Sequence, residues 1–169
     1  MMIRALRKYT CTLGTLMATL VIASCGPYSF NPGGRGGLSS IAVPLFENRT
    51  AEYGIRELLT EGVIDRFVRD GSLKVLNERL ADAVLRGAVV GYQSDPYNYD
   101  AGEIVSEYRV TITVNVRVED PVKRNVVWEE EAMSQWGLYE ASTETEDDGK
   151  RRAVEKLAED IVNRTVKGW

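Results

Sequence analysis

Histidine is absent from the 169 residues, and cysteine occurs twice, at Cys11 and Cys25. Acyl-transfer, metal-hydrolysis and redox sites are built mostly from imidazole, thiolate or clustered ligand sets, so these absences remove their usual materials. Long hydrophobic runs are also lacking: the apolar stretch from about Thr12 to Ala23 is interrupted by Thr and Gly, too short and polar for a spanning helix of about 20 residues. Basic residues are outnumbered, 21 against 25 acids. The first 24 residues hold Arg4, Arg7 and Lys8 and no acid, so the remainder is more acidic than the net charge of −4 for the whole chain. Such a surface has no general attraction for nucleic acid or anionic membranes, and no nucleic-acid partner is expected.

A basic start, a short apolar stretch and small residues before Cys25 make residues 1–24 a signal peptide that is removed. The segment Ile22-Ala23-Ser24-Cys25 resembles the lipobox of bacterial lipoproteins, which implies Cys25 as the lipidated first residue of the mature chain. More than one acyl chain, at about 0.8 kcal/mol per buried methylene, gives durable anchoring. Gly26 stands next in place of the aspartate that tends to retain such proteins at the inner membrane, so the resemblance points to the outer membrane. Residues 25–39 then form a tether: "NPGGRGGLSS" is too rich in Gly, Pro and Ser to hold a core, and it lacks the strand and helix that flank a phosphate-binding loop.

Residues 40–169 read as one α+β domain. Ser40–Phe46 is apolar and β-branched, a first strand with Pro44 at an edge or bulge. Tyr53–Gly71 places Ile55, Leu58, Leu59, Val63 and Phe67 at helical spacing and ends on glycine. A second strand is expected near Ala83–Tyr92, blurred by Gly87 and Gly91, with Ser94–Glu103 as a loop. Tyr108, Val110, Ile112, Val114, Val116 and Val118 alternate with Arg109, Thr111, Thr113, Asn115 and Arg117 without exception, the pattern of a half-buried strand. Glu119–Asn125 is a turn, and Val126–Trp136 returns as the hairpin partner. Thr143 or Thr145 caps a final helix whose first turn carries Glu146, Asp147 and Asp148 and whose stripe is Val154, Leu157, Ile161, Val162 and Thr165. The expected architecture is a two-layer sandwich, a mixed four-stranded sheet with two helices on one face, in the order strand-helix-strand-strand-strand-helix.

Nothing in this domain predicts an enzyme, a cofactor or a metal. Glu129, Glu130 and Glu131 alternate between strand faces, and Glu144 to Asp148 depart from calcium-loop spacing and fit a helix cap. What remains is surface: Trp128, Trp136, Tyr92, Tyr97, Tyr99 and Tyr139 are either core or interface. The polar strand face with Arg109 and Arg117 suits either solvent or a polar barrel interior.

The segments "SIAVPLFENRT", "GIRELLTEGVIDRFV", "ADAVLRGAVVGYQS" and "SEYRVTITVNVRVED", with the closing helix, together resemble the lipopolysaccharide-assembly lipoprotein family LptE along essentially the whole mature chain. The resemblance implies a lipoprotein that plugs and helps assemble the large LptD-type outer-membrane β-barrel through which lipopolysaccharide reaches the outer leaflet, and that binds lipopolysaccharide. The candidate contacts with lipopolysaccharide or barrel are Lys123 and Arg124 in the turn, Arg117 beside it, and Arg109. "IAVPLFEN" also resembles the openings of curli-export-type lipoproteins, so assembly of a secretion pore is the alternative.

Overall fold

The computed structural model describes residues 37–167. The expected signal peptide, Cys25 and the expected tether up to residue 36 lie outside the described residues. The domain comprises six strands and two helices: β1 (Ser40–Ala42), β2 (Glu47–Asn48), α1 (Ile55–Asp70), β3 (Lys74–Val75), β4 (Ala83–Tyr99), β5 (Val105–Asp120), β6 (Asn125–Glu140) and α2 (Glu146–Lys167). The strands form one mixed sheet in the order β3-β1-β4-β5-β6, with β2 also paired to β4. The expected α+β sandwich is present, but the sheet has six strands rather than four.

The two additional strands, β2 and β3, are two residues each and fall below what a periodicity can reveal. The expected first strand, Ser40–Phe46, is cut short. β1 ends at Ala42, the chain passes through Pro44, and β2 resumes at Glu47 farther along β4, pairing with Ala88 and Val89 where β1 pairs with Ala83 and Val84. Proline has no N–H for a ladder, which suits the interruption.

The long antiparallel strands carry the architecture. Val110, Ile112, Val114, Val116 and Val118 of β5 are all buried, as the alternation requires. β4 runs to Tyr99, so the expected loop at Ser94–Glu103 is mostly strand. Pro96 is accommodated at a register shift, on a stretch of β4 beyond its last pairing with β2. The true turn is Asp100–Glu103, where Asp100 Oδ1 accepts the N–H groups of Gly102 and Ile104 at 2.8 and 3.0 Å. The β5–β6 turn uses the same device: Asp120 Oδ1 accepts the N–H groups of Val122 and Lys123, both at 2.9 Å.

Both helices cover the face bearing the β5 valines. Ile55, Leu59, Val63 and Phe67 of α1 and Val154, Leu157, Ile161 and Val162 of α2 join β4 and β5 side chains in one core. Helix α1 closes on Gly71, whose left-handed backbone (φ 72°) lets its N–H reach Phe67 O at 3.0 Å. Thr145 stands at the start of α2, and Asp148, three residues on, reaches back to accept its N–H and hydroxyl, the reciprocal half of a capping box. Lys150 is buried beside this first turn. Desolvation lowers the pKa of its ammonium group, but hydrogen bonds to Glu52 and Asp147 outweigh that and leave it raised. The Glu52 bond ties α2 to the loop before α1.

Close approach depends on glycines. A Cβ at Gly137 on β6 would lie 2.1 Å from Gly149 O on α2, and one at Gly87 would lie 2.1 Å from the buried Phe46 ring. Helix α2 also caps the outer edge of β6: Lys156 Nζ donates to Trp136 O at 2.9 Å, and Arg152 donates to Leu138 O. At the other end of the sheet, Asp82 Oδ2 accepts Ser39 N–H, Ser39 Oγ and Ser40 Oγ at 3.0, 2.7 and 2.8 Å. This pins the start of β1.

Two outcomes are expected. Gly137→Ala should reduce stability by about 1–3 kcal/mol in urea titrations, because the backbone of α2 must retreat. The Ser39 and Ser40 hydroxyls and the Ser39 N–H depress Asp82 from 3.8 to about 2. Its contribution is therefore complete above pH 3.8 and lost as pH falls toward 2. Asp82→Asn should lower stability at pH 6 and flatten the decline between pH 4 and 2.

Candidate functional site

Apart from one corner, where Ala42 and Val84 are buried with Ala81 of the segment before β4, the sheet face opposite the helices is uncovered by any described element, and register places its side chains in rows across β4, β5 and β6. From the β5–β6 turn upward these are Arg86, Arg117 and Glu129; Gly91, Thr113 and Ser134; Gln93, Thr111 and Trp136; Asp95, Arg109 and Leu138. Between the first two rows lies a bulge, where Glu131 and Ala132 together face Asn115. Ala132 is left-handed there (φ 55°), and its N–H donates to Asn115 Oδ1 at 2.9 Å. The bulge sends Glu130 to the helix side, where it pairs with Arg164, while Glu129 and Glu131 line the outer face.

The middle of this face is neutral and rich in hydroxyls and amides. Thr113 Oγ1 and Ser134 Oγ lie 3.2 Å apart. A shallow depression over Gly91 is bordered by Arg49, Gln93, Thr111 and Thr113. Charge gathers toward both ends. Arg86 and Arg117 are direct cross-strand neighbours, a repulsive placement in isolation. Glu119 relieves it by bridging both, at 3.2 Å from Arg86 and 3.6 Å from Arg117.

The four basic residues singled out in the sequence do not converge. Arg117, Lys123 and Arg124 share one end, with Lys123 Nζ 3.2 Å from Asp120 and Arg124 in a left-handed turn position (φ 54°). Arg109 is eight residues up the strand from Arg117, roughly 26 Å at about 3.3 Å per residue. Its guanidinium lies 5.2 Å from the Tyr97 ring centroid, and its Nε is buried without a hydrogen bond.

The aromatics divide between core and surface. Trp128 packs half-buried against the core, and Tyr139 stacks on Tyr108 at 5.3 Å. Tyr92 donates to Glu146; burial, and then that carboxylate, push its phenol well above the usual range. Tyr97 and Trp136 stay on the surface and stack on each other. Their pairing spans two strands and was not legible from spacing. The only available signal was Trp136 occupying an outward position among polar neighbours.

Among the described residues no group of His, Cys, Asp and Glu is arranged to hold a metal ion, and no helix is long and apolar enough to cross a membrane. Helices on one side and a largely bare polar sheet on the other define a two-layer α+β domain. The lipopolysaccharide-assembly family LptE matches residues 38–165, and the chain belongs to that family. Similar solved structures include a protein from Xanthomonas campestris carrying the family description DUF330, 17% identical at TM-score 0.57 over 76% of this chain and 84% of that one. A hypothetical protein from Chlamydia trachomatis is 12% identical at TM-score 0.55, over 75% and 94% respectively. At these identities the likeness concerns the fold alone. A comparison with curated proteins finds no match.

Removing the charge that separates the two arginines should be measurable. Glu119→Gln is expected to cost up to about 1 kcal/mol in low-salt urea titrations, because the groups are partly exposed. The difference should vanish near roughly 1 M salt, where screening acts over about 3 Å.

Proposed function

We propose that this chain is a lipoprotein anchored through Cys25 to the periplasmic side of the outer membrane. Its domain plugs the lumen of a large LptD-type β-barrel and helps assemble it, and so takes part in transporting lipopolysaccharide to the outer leaflet. The observation that carries this reading is the bare sheet face. Three strands of 16–17 residues present Thr111, Thr113, Asn115, Gln93 and Ser134 outward with no described element covering them. Lipid would penalise Arg86, Arg109 and Arg117 on that face, whereas the polar interior of a barrel can match them. Membership of the lipopolysaccharide-assembly family supports the same assignment.

In this reading the protein acts by occupying space and by binding, without catalysis. Lys123, Arg124 and Arg117 are the proposed contacts for lipopolysaccharide phosphates, since Arg and Lys at one strand end supply charge-assisted donors. Arg109, at the far end, is the proposed contact for the barrel or the saccharide.

A photoreactive residue at Thr113 in the full lipidated chain should yield an adduct with a large outer-membrane β-barrel, recovered in near one-to-one amount from mild-detergent extracts. Recovery of a ring of this protein alone, or of a small secretion partner without a barrel, would replace the plug with the pore-assembly reading. Lys123→Glu combined with Arg124→Glu should weaken lipopolysaccharide binding several-fold; unchanged binding removes that end as the contact.

A further inference from the structure

Tyr97 and Trp136 form a feature that barrel plugging does not require. Tyr97 is the extra residue at the β4 register shift between Pro96 and Asn98, which releases it from the strand alternation. Trp136 lies on β6 opposite Thr111. Their ring centroids are 6.3 Å apart with 27° between planes, and the residues are 42% and 40% exposed. Each ring also carries a cation: Arg109 Cζ is 5.2 Å from the Tyr97 centroid, and Lys156 Nζ is 4.0 Å from the Trp136 centroid. The bond from Lys156 to Trp136 O fixes that ammonium in place.

We propose that Tyr97 and Trp136 are a saccharide platform, flanked by Arg109 and Lys156, that binds an oligosaccharide bearing an acidic substituent. A sugar ring has an apolar C–H face that packs on an aromatic plane and a rim of hydroxyls that needs hydrogen-bonding neighbours. At 6.3 Å between centroids the two rings are offset and keep exposed surface for the first, while Thr111 and Gln93, in the same row of the sheet as Trp136, supply the second. Protein hot spots centred on Tyr, Trp and Arg are ordinarily ringed by contacts that exclude water. Here the two rings stand among exposed or half-exposed polar side chains, which suits a hydrated ligand. The two cations answer a carboxylate or phosphate on the sugar.

The proposal rests on the lipopolysaccharide reading for the source of the sugar, and it separates the saccharide contact from the Lys123–Arg124 end. The test uses the full lipidated protein in detergent and, as probe, the water-soluble oligosaccharide obtained by removing all acyl chains from lipopolysaccharide. Calorimetry should detect binding to the native protein. Tyr97→Ala combined with Trp136→Ala should weaken it at least tenfold, while Tyr97→Phe with Trp136→Phe retains most of it. Co-purification of the barrel is measured on the same variants and should be unchanged. Absence of oligosaccharide binding by the native protein, or equal binding by the alanine variant, overturns the platform and leaves the plug reading intact. Loss of the barrel with oligosaccharide binding retained assigns the rings to a protein interface and overturns it as well. Failure of the native protein to bring down any barrel bears on the plug reading alone.

Discussion

The fold depends on how closely α2 can approach β6. Gly137 and Gly149 let the backbone of one lie against the other, and that contact sets where the rest of the helix falls. Leu157 and Ile161 reach the valines of β5, Lys150 reaches Glu52, and Arg152 and Lys156 reach the carbonyls on the edge of β6. A helix displaced by a methyl group would weaken core packing, the tie to the loop before α1 and the edge cap together. Interiors are close-packed, so a small local displacement is felt across the elements that share the contact.

With both helices committed to one face, the other is left to polar side chains. The alternation of β5 determines this before any partner is considered: every residue that buries an aliphatic group beneath the helices is succeeded by one that turns a hydroxyl, amide, guanidinium or carboxylate outward. Core and polar face are thus opposite sides of the same residues' spacing. The bulge at Glu131 and Ala132 is where the two are reconciled. It turns Glu130 toward Arg164 and keeps Glu129 and Glu131 outside.

Much of the fold was legible in the sequence, where local pattern and tertiary demand agree. The β5 alternation, the stripes of both helices, the cap at Thr145 and the stop at Gly71 are all set by spacing. What was not legible depends on distant neighbours. Gly87 looks like a flaw in a strand until the Phe46 ring is placed against it, and Ser94–Glu103 looks like a loop because Pro96 and its polar neighbours say nothing of the β5 partner that holds them extended. The candidate site was half visible. Arg109 and Arg117 were correctly placed on the outward face, but the contact between Tyr97 and Trp136 needs a register shift on one strand and a neighbour two strands away.

The Asp82 clasp on Ser39 and Ser40 has a mechanical consequence. β1 lies between β3 and β4 and is parallel to both, so tension drawn along the chain ahead of Ser39 loads its ladders in shear instead of peeling one residue at a time. Leu38, seated in the core just ahead of Ser39, and the three hydrogen bonds to one carboxylate together meet a tug on the leading chain before it reaches Ile41 and Ala42.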